Sequence, residues 1–201
     1  MISMSDVEAE TWISWHCNIK GNEYLCEIDN DYIEDKFNLT GLNEIIPYYK
    51  EAIQIILEYD LDESIEEKVG VDTLEKSACI LYGLIHARYI ITSEGMNKMV
   101  SKWKQCDFGK CPNYYCDGQF CLPIGLNPIY GQEHVKNYCP SCYNVYNPRS
   151  HGGRLDSAYI GPNFPHMLFM MYPAFRPQPV TDKMEAKLFG FKIHPSAYGN
   201  N

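Results

Sequence analysis

Cys111-Pro-Asn-Tyr-Tyr-Cys116 and Cys139-Pro-Ser-Cys142 present two pairs of thiols, each pair close enough in sequence for one tight turn to carry both sulfurs. Deprotonated cysteines are soft donors, and one turn at either end of a long loop offers four corners of the tetrahedron that Zn²⁺ favours. The second pair has the usual spacing and the first is wider. Four thiolates leave no open position for a catalytic water, so the chemistry is structural: the ion clamps a module and hydrolyses nothing. Cys106 and Cys121 flank the first pair without forming a short turn with the second, and they count as spare thiols. His134 and His151 are placed as surface or packing histidines.

A module of that kind needs elements to hold it, and the chain divides into two halves that differ in texture. With 201 residues there is room for one ordinary domain or two small ones. The odd number of cysteines, the absence of an apolar leader after Met1 and the lack of a long hydrophobic span predict a reducing, intracellular compartment without membrane insertion. The formal net charge of −9 disfavours a surface built to neutralise phosphates and favours basic partners.

The first half carries helical patterns. After an acidic start over 1–10, Trp12-Ile13-Ser14-Trp15 places large apolar groups where a short helix can dock on a core. Pro47 suits the first position of a helix whose stripe is Tyr48, Ala52, Ile55 and Ile56, fading near Glu58. Asp72 and Glu75 have capping-box spacing, and Leu74, Ala78, Leu81, Ile85 and Tyr89 mark the buried face of the helix that follows. Thr92 caps another, with Met96, Met99, Val100 and Trp103 inward.

Beyond Gln105 the chain turns to short segments rich in Tyr, Pro and Gly, as expected of strands and knuckles held by a metal. Met167-Leu-Phe-Met-Met171 is too short to span a membrane and predicts a buried strand ended by Pro173. Pro173, Pro177 and Pro179 then predict an extended path leading away from the cysteine module.

Three further features bear on function. Glu58, Asp60, Asp62, Glu63, Glu66 and Glu67 lie together without a Lys or Arg, which is either a solvated loop between helices or a docking surface for polycations such as polyamines or a basic protein segment. Phe189, Phe191 and Ile193 alternate onto one side of a predicted extended strand, where they either pack on the protein's own core or anchor in a partner's groove. Asp107-Phe108-Gly109 spells the magnesium-binding tripeptide of protein kinases, yet no glycine-rich loop, Val-Ala-Ile-Lys strand or His-Arg-Asp loop accompanies it. The tripeptide is a coincidence, and no catalytic residue is assigned. A zinc-ribbon nucleic-acid-binding adaptor of the transcription machinery is the competing reading, but Lys104, Lys110 and Lys136 are balanced by Asp107, Asp117 and Glu133, so the basic stripe it needs is missing.

The blocks Trp12-Ile-Ser-Trp15, Asp35-Lys-Phe-Asn-Leu-Thr-Gly-Leu-Asn43, Leu81-Tyr-Gly-Leu-Ile-His-Ala-Arg-Tyr89, the cysteine quartet, Phe164-Pro-His-Met-Leu-Phe-Met170 and Gly190-Phe-Lys-Ile-His-Pro195 together resemble the regulatory beta subunits of casein kinase II. The resemblance covers nearly the whole chain. It implies an α+β protein: an all-α N-terminal domain followed by a zinc-ribbon-like small β domain and an extended C-terminal segment. The implied units are a mobile acidic N-terminus over 1–10, a helical domain over 11–105 with an acidic loop at 58–67, a zinc-binding dimerisation domain over 106–175 and a docking segment over 176–201.

It further implies a non-catalytic subunit with one structural zinc per chain on Cys111, Cys116, Cys139 and Cys142. Pro112, Tyr114, Tyr115 and Val145 fall where the family's zinc domains pair. Leu188, Phe189 and Phe191 match its docking segment for the catalytic subunit, with Phe189 often Tyr in the family. Two regulatory chains then bridge two catalytic chains, in cytoplasm and nucleus. The acidic residues correspond to a loop associated with polyamines and substrates. Ser3 and Ser5, followed three residues later by Asp6 and Glu8, fit the kinase's own acidic preference and are expected phosphorylation sites.

Overall fold

The computed structural model describes residues 10–149, 151–181, 187–194 and 197. Ser3 and Ser5 lie outside the described residues.

Helix α1 (Trp12–Asn18) is capped by Thr11, whose hydroxyl accepts from the Ser14 amide, and it buries Ile13 and His16. Short α2 (Asn30–Glu34) follows, then α3 (Tyr49–Ile56), which turns Ala52 and Ile56 inward and ends before Glu58, held at φ 57°. Pro47 is not the first helical residue, because Tyr48 takes a left-handed conformation (φ 53°) and the helix starts after it. The acidic segment is not all loop. Asp62 accepts from the Ser64 amide and caps α4 (Glu63–Val69), so Glu63 and Glu66 sit in a first turn, where carboxylates suit the amide end of the helix dipole.

Helix α5 (Val71–Tyr89) is the central element and buries Leu74, Ala78, Leu81, Ile85 and Tyr89 as its periodicity predicts. The expected capping box does not form. Gly70, at φ 88°, ends α4 and starts α5 two residues early, which puts Asp72 inside the first turn. Glu75 instead accepts the Trp12 indole N–H at 3.0 Å, fastening α1 onto α5. Helix α6 (Ser93–Lys104) is capped by the Thr92 hydroxyl as expected, with Met96, Met99, Val100 and Trp103 buried.

The cysteine-rich half contains a three-stranded antiparallel sheet in the order β1 (Leu122–Ile124), β2 (Lys136–Tyr138), β3 (Val145–Tyr146). Against β1 lies α7 (Phe164–Met171), in place of the predicted buried strand. Five apolar residues in a row are compatible with either period. Pro165 decides for the helix, since in a first turn its missing N–H leaves no bond unmade. Leu168 and Phe169 face the core, and Met170 and Met171 face solvent.

One hydrophobic cluster joins Ile13 through α5, α6 and α7 to Phe108, Leu122 and Val135. Gly83 lets α5 come close to the segment carrying Tyr159: a Cβ there would lie 2.3 Å from the Tyr159 ring. Phe108 is fully buried edge-on to Tyr24, and Asp107 pairs with Lys102 at 3.3 Å, so the kinase-like tripeptide serves packing. No helix among the described residues is long and apolar enough to cross a membrane.

His86 is fully buried in α5 with both ring nitrogens engaged: Nδ1 lies 2.7 Å from the Tyr159 carbonyl and Nε2 accepts from the Cys26 amide at 3.1 Å. That arrangement needs a neutral ring, and burial pushes its pKa down to about 4; burial does the same to His16. A folded-state pKa below the unfolded value of 6.5 gives stability that is complete above pH 6.5 and lost as pH falls towards 4. For His86 the loss is about 3 kcal/mol across that window. Nuclear magnetic resonance at pH 6 should therefore show both rings as neutral imidazole, and a charged His86 ring in the folded protein would contradict this.

Candidate metal centre

Each cysteine pair sits on a knuckle built by local hydrogen bonds. In the first, the Asn113 side chain accepts from the Tyr115 amide and opens a single 3₁₀ turn over Tyr114–Cys116; Asp117, at φ 46°, then reverses the chain. The Cys111 amide donates to Gln119 O at 2.8 Å, closing the loop. The second knuckle is the connection between β2 and β3, where the Cys139 amide donates to Asn144 O and the Tyr143 amide to Cys139 O, both at 2.9 Å. Tyr143 completes that turn at φ 58°.

The two knuckles face one another. The sulfurs of Cys111, Cys116, Cys139 and Cys142 all lie within 4.8 Å of each other, and Cys111–Cys142 and Cys116–Cys139 are each separated by 3.8 Å. A tetrahedron with Zn–S bonds of about 2.3 Å has edges of about 3.8 Å, so these residues fit zinc. Burial pushes the Cys111 thiol up to about 11 and raises Cys116 as well, whereas a hydrogen bond from Cys121 pulls Cys139 down to about 4. For Cys142 burial opposes ionisation, but the Tyr146 hydroxyl, 3.4 Å away, helps bring it down. Four thiolates this close repel strongly unless a cation lies between them. Cys106 is absent from the cluster. Cys121 is buried within it beside Cys111, Cys116 and Cys139, a position that its sequence spacing did not reveal.

Outside the sulfurs, Pro112 and Val145 are exposed, as are Tyr114 (90 %) and Tyr115 (41 %). Tyr114 and Tyr115 pack edge to face, 5.7 Å between centroids. The lysines between 104 and 146 are all engaged: Lys104 lies over Phe175, Lys110 over Phe120, and Lys136 pairs with Glu133.

The segment after α7 does not leave this module as its prolines predict. Phe175 packs on Trp103, the Val180 amide donates to Ser141 O at 3.0 Å, and the Val180 side chain rests on the cysteine cluster. Proline supplies no amide donor, but Val180 between Pro179 and Thr181 does, and one such bond is enough to pin an extended strand.

Leu188, Phe189 and Phe191 do not share one extended strand either. Strands β4 (Lys187–Leu188) and β5 (Phe191–Lys192) pair antiparallel around Phe189-Gly190, whose φ values of 50° and 87° are those of a two-residue hairpin turn. Phe189 is 93 % exposed, Phe191 79 % and Leu188 61 %. Of the acidic residues, Glu58 accepts the Trp12 amide at 2.9 Å and Asp62 caps α4. Among the described residues, no ion pair engages Glu58, Asp60, Asp62, Glu63, Glu66 or Glu67.

Sequence comparison bears directly on these features. Casein kinase II subunit beta-3 of Arabidopsis thaliana is 46% identical over 195 residues, covering 96% of this chain and 71% of its own length. The Schizosaccharomyces pombe casein kinase II subunit beta is 46% identical over 188 residues, covering 93% of this chain and 80% of its own. The beta' subunit of Drosophila melanogaster is 44% identical over 196 residues, covering 97% and 89%. The family described as casein kinase II regulatory subunit matches residues 11–192, which takes in both knuckles, the helices packed behind them and the aromatic hairpin. With that extent of match, the chain belongs to the casein kinase II regulatory subunit family.

Proposed function

We propose that this chain is the non-catalytic subunit of a casein kinase II holoenzyme, in which two copies pair through zinc-ribbon modules and each presents a hairpin to one catalytic chain. The observation that carries this reading is the exposed hairpin: two phenylalanine rings in water on a preformed turn have a purpose only when covered. One zinc per chain on Cys111, Cys116, Cys139 and Cys142 stiffens the platform, and Pro112, Tyr114, Tyr115 and Val145 form the surface that meets the second copy. Leu188, Phe189 and Phe191 enter a groove on the kinase.

Binding preferentially to the active kinase conformation stabilises it by mass action, without any chemistry by this chain. Nine cysteines, none in a disulfide, support an intracellular setting, shared between cytoplasm and nucleus. The test is sizing and metal analysis of the purified chain, followed by capture of a casein kinase II catalytic subunit. Two chains with one zinc each and stable capture are expected; a metal-free monomer that captures nothing defeats the reading.

The acidic segment completes the proposal as a docking surface for polyamines or basic protein substrates. Its unpaired carboxylates raise the local concentration of cations, an effect that salt screens. Replacing Glu63, Glu66 and Glu67 together by Gln should weaken spermine binding by about tenfold at low ionic strength and by much less near 0.5 M salt. Asp62 is left in place, since its carboxylate caps α4. Calorimetric titration measures both arms, and unchanged affinity at low salt would remove the segment from the binding surface.

A further inference from the structure

A cleft of about 410 Å³ opens where the turn after α1 meets the segment that enters β2 and the one that follows β3, and Lys20, His134 and Arg154 line it together with Asp156, Tyr130 and Tyr159. Two cations in one hollow run against the charge of a chain whose formal net is −9. The backbone fixes their places. Lys20 rides a turn closed by the Asn22 amide on Ile19 O at 2.9 Å, and the Asn22 side chain donates to His16 O at 2.8 Å. His134 and Asp156 face one another across an antiparallel bridge, and the Val135 amide on Leu155 O at 2.9 Å keeps Arg154 beside them. The Asp156 carboxylate is held by the Gly131 and Ala158 amides at 2.7 and 2.9 Å. Among the described residues neither Lys20 nor Arg154 has an ion-pair partner. Tyr130 and Tyr159, stacked at 5.9 Å, form the wall. An ammonium and a guanidinium fork beside one another suit the three oxygens of a phosphoryl dianion.

The chain carries its own ligand for such a cleft. Residues 1–9 hold Ser3, Ser5, Asp6 and Glu8 and contain no Lys or Arg. They join the described structure at Glu10, whose carboxylate lies 3.5 Å from Asn18 Nδ2, two residues before Lys20. Extended chain covers at most about 3.6 Å per residue, so Ser5 reaches about 18 Å from Glu10, whereas α1 is only about 10 Å long. We propose that the cleft receives this segment once Ser5 is phosphorylated, with the phosphoryl oxygens on Arg154 and Lys20. Phosphorylation moves the γ-phosphoryl group of ATP onto the Ser5 hydroxyl, with ADP leaving and the hydroxyl proton released, and that step rests on the kinase partnership proposed above. The latch itself needs only parts of this chain. Without phosphate the segment offers the single charges of Asp6 and Glu8; with it, a dianion arrives on a short tether, at an effective concentration in the millimolar range.

The full chain is made with phosphate already on Ser5, incorporated during translation, and followed by phosphorus magnetic resonance beside the free phosphorylated peptide of residues 1–10. The second ionisation of a phosphoserine in water falls near pH 6. Two facing cations favour the dianion, so in the full chain the midpoint should fall by about half a pH unit or more, and the phosphorus line should broaden to that of the whole molecule. Lys20→Gln together with Arg154→Gln should return both to the peptide values, and salt near 0.5 M should do the same in the wild type. Both side chains are exposed, so the core is untouched, which helical circular dichroism checks. A peptide-like midpoint and narrow line in the wild type, or equal values in K20Q/R154Q, overturn the proposal. So does binding of added inorganic phosphate or free phosphorylated peptide in the cleft while the chain's own phosphate stays unshifted, which assigns the cleft to an outside ligand. Absence of phosphate on Ser5 after incubation with ATP and a catalytic subunit defeats the modification step, a result separable from a cleft that fails to hold it.

Discussion

Cys116→Ser should strip zinc from the chain and convert the expected dimer to monomer. Cys116 is buried at the end of the first knuckle, its amide bonded to Asn113 O. Zinc on four thiolates contributes about 10–16 kcal/mol to the folding of small metal domains, which equals or exceeds the whole stability of an ordinary domain. Three thiols and a hydroxyl hold the ion far less well, and without it the four-sulfur cluster has nothing to gather its knuckles. Tyr114, Tyr115 and Val145 then lose their fixed spacing. The helical core should persist, since α5 packs on both α3 and α6 without the metal. The expected result is a metal-depleted chain with near-normal helical circular dichroism and a monomeric sedimentation profile. Cys106→Ser, outside the cluster, serves as the control and should leave both metal and assembly unchanged. A metal-depleted Cys116→Ser chain that still dimerises would separate the ion from the interface.

The second large effect belongs to the hairpin. Buried aromatic anchors commonly contribute about 2 kcal/mol or more, so Phe189→Ala and Phe191→Ala should each weaken capture of the catalytic subunit by about thirtyfold. The two residues flank Gly190 on one turn, so the double variant will not show the simple product of the two effects. Surface plasmon resonance with immobilised catalytic subunit measures the losses, and they should fall mainly on the dissociation rate. Neither substitution should alter zinc content or dimerisation. Wild-type affinity in the double variant would mean the rings serve some other surface.

Much of the helical half was legible because its signals are local and periodic. The stripe Leu74 to Tyr89 and the Thr92 cap follow from side-chain spacing and from one hydroxyl beside a run of orphan amides. Errors arose where a neighbouring element made the decision. Asp72 and Glu75 have the right spacing for a capping box, but Gly70 starts the helix earlier and Trp12, 63 positions away, claims Glu75. Met167 to Met171 carries no period of its own, and Pro165 outranked its strand-like composition. The prolines after Pro173 describe the local backbone and say nothing about Ser141, which binds the segment from 39 residues away.

The four-cysteine site was legible from spacing because each knuckle delivers its pair by local geometry. Cys121 was not, since its place depends on the register of β1 against β2, which sequence spacing does not encode. A register argument from Cys139 backwards was the available signal. The hairpin was missed for a different reason: alternation of Phe189, Phe191 and Ile193 mimics an extended strand. The phenylalanine–glycine pair lacks the asparagine or aspartate that usually announces such a turn.

That turn has a kinetic consequence. A left-handed backbone is uncomfortable for phenylalanine and would suit asparagine or glycine better, so the ring is kept there at a local energetic disadvantage. The compensation lies in timing. A finger already bent before contact needs no folding step on arrival, so encounter with a groove is limited by diffusion and orientation, and the lifetime of the pair is left to the rings alone.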